Sequence, residues 1–272
     1  MRDTMYRSDT QSVITKDQWI ADLTPIRVIY IGESHTNPSH HAIQLDVIRA
    51  LAASGSPLII GMEMFDHTYQ AVLDRWSAGA LDEAQFLQLT HWYANWRYDY
   101  ALYRDILEYA KENRIRVVAL NVPFHIPAKI SVGGIDSLSA DERRHLPETI
   151  DTSDADHRAY VENIFKMHSI RGRENFDFFY QAQCTWEDAM AEAIADNLGS
   201  GKMVVLAGNG HITRKFGIPN RAFARNRVPF KTVYLAPVGN DVDPAWADYI
   251  WATDDPPMPR MSMKPKGMKK PK

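Results

Sequence analysis

Cysteine is almost absent: Cys184 stands alone in 272 residues, so no intrachain disulfide can form and no cysteine-based metal cluster can be built. Long apolar runs are missing too. No stretch approaches the roughly 18 apolar residues of a membrane-spanning helix. The opening Met1-Arg-Asp-Thr-Met-Tyr-Arg-Ser-Asp-Thr10 lacks the apolar centre of a secretory signal. As written the chain reads as cytoplasmic; trimmed after a signal or lipid-anchor sequence, it would read as a periplasmic or membrane-associated lipoprotein. Neither a dinucleotide-type glycine loop nor a nucleoside-triphosphate loop occurs, which disfavours nucleotide binding. Gly32-Glu-Ser-His35 is not the elbow of a serine hydrolase, which disfavours Ser34 as a nucleophile. Basic charge is scarce in the body of the chain. The net charge is −3, yet six basic residues and no acid follow Asp255, so the rest stands at −9. An acidic body lacks the basic footprint that nucleic acid requires.

Three apolar runs without internal charge are present instead: Arg27-Val-Ile-Tyr-Ile-Gly-Glu-Ser-His35, Leu58-Ile-Ile-Gly-Met-Glu-Met-Phe65 and Met203-Val-Val-Leu-Ala-Gly-Asn-Gly-His211. Such runs predict strands covered on both faces. Each reaches a glycine and hands over to a carboxylate or an imidazole. Open parallel sheets bind ligands beyond the carboxyl ends of their strands, so Glu33, His35, Glu63 and His211 are expected to converge there.

The pattern predicts one α/β domain over about 20–252, a largely parallel sheet flanked by helices. Strands are expected at 26–31, 57–62, 116–122, 202–207 and, near the sheet edge, 230–235. Residues 1–25 read as a polar lead-in with a short helix near Trp19. Between 127 and 180 the strand signal disappears, predicting a smaller all-helical insertion over the strand ends, with Ser139-Ala-Asp-Glu142 fitting a capping box. Phe176 to Leu198 fits a long amphipathic helix. The Pro-Met-Lys-rich segment 254–272 reads as a disordered basic tail, suited to an anionic membrane surface or a partner.

Two chemistries suit these residues. His35, Glu63 and His211, with Glu33, could hold a divalent metal or act directly as general acid and base, which would make a hydrolase. The plain alternative is that the glutamates cap helices and the histidines are satisfied by hydrogen bonds. On the long helix, Tyr180, Gln183 and Glu187 follow helical spacing beside Phe179, Trp186 and Met190. A phenol among aromatic and methionine side chains is what a tyrosinate-ligated haem needs, with His168 or His211 as polar partner or second ligand; simple packing of the helix is the competing reading. Trp92, Trp96, Tyr98 and Tyr100 could line a flat apolar ligand or pack the core, and His40-His41 reads as solvated.

The ordered set Gly32-Glu-Ser-His-Thr-Asn-Pro38, Gly61-Met-Glu-Met-Phe65, Asn95-Trp-Arg-Tyr-Asp-Tyr100, Ala182-Gln-Cys-Thr-Trp-Glu-Asp-Ala-Met-Ala191 and Ala207-Gly-Asn-Gly-His211 resembles the ChaN-like haem-binding proteins, within a superfamily of erythromycin esterases and TIKI-type metalloproteases. The resemblance implies a parallel sheet with a small helical domain. It also implies haem as ligand, held by a tyrosine and shared between two subunits, and a role in haem or iron uptake with a membrane or haem-transport partner. Tyr180 is the tyrosine placed beside the Ala182-Gln183 motif, and Tyr160 is its rival. Two departures stand out: no lipoprotein signal is present, and Trp186-Glu187 occupies the place where the family usually has an arginine.

Overall fold

In the computed structural model, which describes residues 4–167 and 173–253, eight strands form one sheet. They are β1 (Thr4–Arg7), β2 (Ser12–Ile14), β3 (Val28–Glu33), β4 (Leu58–Asp66), β5 (Arg116–Asn121), β6 (Lys202–Gly208), β7 (Phe230–Pro237) and β8 (Tyr249–Thr253). Their order is β2-β1-β8-β7-β3-β6-β4-β5. From β8 to β5 all pairings are parallel; β1 and β2 add an antiparallel edge.

Alternation along each buried strand divides its side chains between two faces. Ile29 and Ile31 join Trp19, Ile48, Trp76 and Leu107 in one core, beneath the helices Lys16–Leu23, Pro38–Ala52, Gln70–Ser77 and Arg104–Glu112. Val28 and Tyr30 join Met190, Ile194, Met203 and Ile218 in the other, beneath Phe176–Asn197 and Ile218–Asn226. Apolar groups thus cover both faces, which is why these strands carry almost no interior charge.

Three expectations change. The lead-in contributes β1 and β2 as well as the helix at Trp19. β7 is not near the edge, because β8 and then β1 pair beyond it. The His40-His41 pair is buried rather than solvated, at 0% and 3% exposure. Asn37 caps their helix through Ser39 N (2.9 Å), Pro38 occupies its first turn, and the resulting register turns both rings inward.

The segment between β5 and β6 is helical where described, with His125–Gly133, Ala140–Arg143 and Ala155–Met167 preceding Phe176–Asn197. Ser139 and Glu142 form the expected capping box. On the outer edge of β5, the Gln70 amide donates to Val117 O (3.0 Å) and accepts from Ala119 N (2.9 Å), while Ser77 Oγ accepts from Val117 N (3.1 Å). Side chains thus occupy hydrogen-bonding groups that an exposed edge would offer to another strand. His168 and the basic tail lie outside the described residues.

Candidate functional site at the strand ends

Parallel pairing of β3, β6 and β4 brings Glu33, Gly208 and Glu63 to one end of the sheet. Glu33 is 2% exposed and accepts from His35 Nδ1 (2.8 Å), Tyr103 Oη (2.5 Å) and Gln44 Nε2 (2.8 Å), with His41 Nδ1 at 3.6 Å. Burial alone would raise its pKa; the His35 and His41 contacts and the Tyr103 hydrogen bond outweigh that and lower it. His35 is raised in turn, the Glu33 and Glu63 carboxylates overcoming its burial.

Glu63 forms a second centre. It accepts from Gly208 N (2.6 Å), and His211 Nε2 lies 3.4 Å from its carboxylate. Against the upward push of burial, His211 and Gly208 hold its carboxyl down at about 2. His211 sits between two acids, since its Nδ1 also lies 3.3 Å from Glu187. Burial pulls its pKa down, but Glu63 and Glu187 push it up to about 10, leaving the imidazolium as the resident form.

Gly208 allows these centres to meet. A Cβ there would lie 3.1 Å from His35 Nε2 and 3.7 Å from Glu63. The glycine therefore makes room for the chain's own imidazole. All four strand-end residues named from the sequence come together: Glu33–His35 on one side of Gly208 and Glu63–His211 on the other. Trp96 and Tyr98 stand 4.9 and 5.0 Å from the His35 ring, and Trp186 stands 5.8 Å from His211. His35 remains the more accessible imidazole, its side chain 24% exposed against 12% for His211.

As a divalent-metal centre the expected set does not assemble. Among the described residues, no group of three or more His, Cys, Asp or Glu side chains is placed to hold a metal ion. Both ring nitrogens of His211 face carboxylates and His35 Nδ1 faces Glu33, so of these two imidazoles only His35 Nε2 is left for a metal. As an acid–base arrangement the site is coherent: His35 is oriented by Glu33, and beside it lies an imidazolium fixed by two acids.

The sequence reading underweighted Glu187. This fully buried carboxylate accepts from Gln183 Nε2 (2.6 Å), faces His211, and lies 3.1 Å from His157 Nε2 and 3.5 Å from Arg221 Nε. Its pKa is lowered because His157 and His211 overcome the burial that would raise it. Gly217 permits this crowding: a Cβ there would lie 2.7 Å from Glu187 Oε1 and 2.4 Å from His211 O. Arg221 also bonds Asp188 and reaches Cys184 Sγ (3.3 Å). Burial pushes the Cys184 thiol up to about 12, making it a packing residue.

The tyrosine expected to ligate haem ends this network. Tyr180 is 1% exposed; its hydroxyl donates to Asp154 O (3.2 Å) and lies 3.3 Å from His157 Nδ1. Burial raises its pKa, so the phenol stays protonated. Gln183 spans Glu187 and His211 (3.2 Å). Its amide is thus committed to the network. Trp92, Trp96 and Tyr100 are core residues, and Tyr98 is half-buried beside His35.

Four similarities relate this chain to known proteins. The structure of ChaN of Campylobacter jejuni, described as binding haem cofacially, matches with a TM-score of 0.74 at 20% identity, covering 92% of this chain and 96% of that one. The type III effector HopBA1 matches with a TM-score of 0.50 at 14% identity, over 88% and 93% of the two chains. Protein RETICULATA-RELATED 5, chloroplastic, of Arabidopsis thaliana is 23% identical over 253 residues; the match takes in 83% of this chain and 34% of that protein, so the chain spans about a third of its relative's length. A family model described as haem-binding uptake, Tiki superfamily, ChaN matches residues 19–222, from the helix at Trp19 through both Glu–His centres to the Ile218–Asn226 helix, and the chain belongs to that family.

Proposed function

We propose that this protein binds haem as cargo and works in haem or iron handling. The carrying observation is the family match across residues 19–222. The structure is compatible with a flat apolar ligand at the helical insertion and its borders. Met167 and Val132 are 72% and 60% exposed there, and Phe165 stacks near Phe176 and Phe179 with ring centroids 5.5 and 5.2 Å apart. Ligation by Tyr180 would require its hydroxyl to leave both Asp154 and His157, so an iron ligand nearer the surface fits this fold better. Assembly as a homodimer with haem between subunits, and exchange with a transport partner, belong to the same proposal. The test is an absorbance titration of metal-free protein with haemin. A saturable Soret band at a fixed stoichiometry supports the reading, and a featureless, non-saturating rise overturns it.

A second reading rests on the meeting of Glu33–His35 and Glu63–His211 at Gly208. With His35 as base and His211 as fixed imidazolium, this end of the sheet could activate water for hydrolysis. Turnover of a panel of ester and amide substrates that disappears in His35→Ala, with no bound metal by elemental analysis, would support it. Equal turnover in wild type and His35→Ala would remove it.

A further inference from the structure

A second polar cluster lies beyond the carboxyl ends of β4 and β5, around a cleft of about 650 Å³, within the roughly 300–1,000 Å³ typical of small-molecule sites. Its wall is mostly polar, with Asp66, Tyr69, Asn95, Arg97 and His125 among the lining residues and Phe124 beside them. Most of these groups are already engaged. Asp66 is 3% exposed, and its Oδ1 accepts from both Thr68 N (3.0 Å) and Thr68 Oγ1 (2.5 Å). Asn95 Nδ2 donates to Tyr69 Oη (2.9 Å) and to Thr90 O (3.0 Å). Arg97 is different: the residue is exposed, and among the described residues its guanidinium makes no hydrogen bond or ion pair.

The backbone that carries Arg97 is held on both sides. Trp96, 7% exposed, donates its backbone N–H to Trp92 O (2.8 Å), and Tyr98 O accepts from the Trp92 indole (2.8 Å). Between them Arg97 has φ 71°, a left-handed conformation that is uncommon for a residue with a side chain and that clusters at functional sites. The same two neighbours reach the strand-end site. The Trp96 and Tyr98 rings lie 4.9 and 5.0 Å from the His35 ring, and Trp96 also lies 5.8 Å from Phe124 in the cleft wall. One fixed turn thus joins the more accessible imidazole of the Gly208 cluster to an unpartnered guanidinium.

We propose that this cleft binds a small molecule carrying a single carboxylate, with Arg97 as the residue that selects the charge, and presents it to His35. Binding stands on its own; presentation rests on the hydrolytic reading above and names its substrates as carboxylate-bearing esters or amides. A guanidinium meets a carboxylate with two parallel N–H donors. A phosphate dianion fits less well, because Asp66 lines the same cleft and the body of the chain is acidic. The hydrolysis balances with water alone. Its oxygen joins the acyl carbon as the bond to the leaving oxygen or nitrogen breaks. One of its protons passes by way of His35 to the leaving group, and the other is released from the new carboxyl group.

The test begins with NMR titrations of the full chain with succinamate, which carries one carboxylate, and with its neutral relative succinamide. Succinamate should bind about fivefold more tightly, the upper end for an exposed charge pair, and added salt should shrink the difference. Arg97→Ala should abolish the preference, while Arg75→Ala, which removes an exposed charge from the helix Gln70–Ser77, should keep it, with circular dichroism confirming that both fold. Equal binding of the two probes by the wild type, or a preference that survives in Arg97→Ala, would overturn the site. Tighter binding of inorganic phosphate than of succinamate would overturn its assignment to a carboxylate. Turnover then tests presentation: 4-nitrophenyl hemisuccinate should be preferred over 4-nitrophenyl butyrate through a lower KM, and Arg97→Ala should remove that preference. Hydrolysis that depends on His35 without favouring the hemisuccinate would overturn presentation while leaving the hydrolytic reading intact. Binding of succinamate that depends on Arg97, without any turnover that depends on His35, would keep the site and overturn its service to His35.

Discussion

The carboxyl edge of the sheet carries two polar clusters that differ in how much bonding capacity they retain. Around Gly208 the glutamates and His211 are matched within the fold: Glu33, Glu63 and Glu187 are 2%, 3% and 0% exposed. Beyond β4 and β5, Arg97 stands without a partner among the described residues, and only one nitrogen of His145 is assigned to His67. The first cluster acts on the fold and on any chemistry at His35. The second has groups left over for a ligand. Buried polar groups are costly when unpaired, so the inner cluster should respond to mutation mainly through stability and the outer one mainly through binding.

The largest effect that would separate the two clusters is expected from Glu187→Ala. It leaves His157, His211 and Arg221 beside a vanished acid, and chemical denaturation should show a loss of about 3–5 kcal/mol, as for one partner of a buried ion pair. Tyr103→Phe removes one hydrogen bond to the Glu33 carboxylate and should cost about 1.5–3 kcal/mol in the same assay. Gly217→Ala forces a methyl group against Glu187 and His211 O, an overpacking cost of about 1–3 kcal/mol. At the other extreme, Arg97→Ala should change stability by less than about 0.5 kcal/mol, as at an ordinary surface position. A large loss there would show that Arg97 serves the fold and would collapse the distinction.

Proton linkage sharpens the comparison further. His211 is raised in the folded state to about 10 from 6.5, so its contribution is complete below pH 6.5 and is lost as pH rises through about 10. Glu63 is lowered to about 2 from 4.5, so its contribution is present above pH 4.5 and is lost as pH falls through about 2. The pair is therefore strongest between those unfolded values. Thermal melts should show an alkaline decline that flattens in His211→Asn; an unchanged decline would place its origin elsewhere.

Much of this arrangement was readable before any coordinates. β3, β4, β5, β6 and β7 announce themselves because parallel strands covered on both faces must be apolar throughout, and the convergence of Glu33, His35, Glu63 and His211 follows from their places at strand ends. β1, β2 and β8 were missed because short strands with polar residues, such as Thr4-Met-Tyr-Arg7, carry little period-two signal, and β7 looked like an edge for want of β8. Tyr180 stood out by its helical spacing with Gln183 and Glu187. The spacing is real, yet it points the phenol into a buried network with His157, a partner on a different helix. His67 and His145 gave no sequence signal at all, because only tertiary packing brings positions 78 residues apart into contact.

The most direct measurement is histidine-selective ¹⁵N NMR of the full chain as haemin is added, using the paramagnetic ferric iron to broaden nearby imidazoles. The account predicts that the exposed His125 broadens before His157 and His211, whose ring nitrogens are already bonded within the fold. Early loss of the His157 and His211 signals would place the iron at the inner cluster and contradict the division drawn between the two regions.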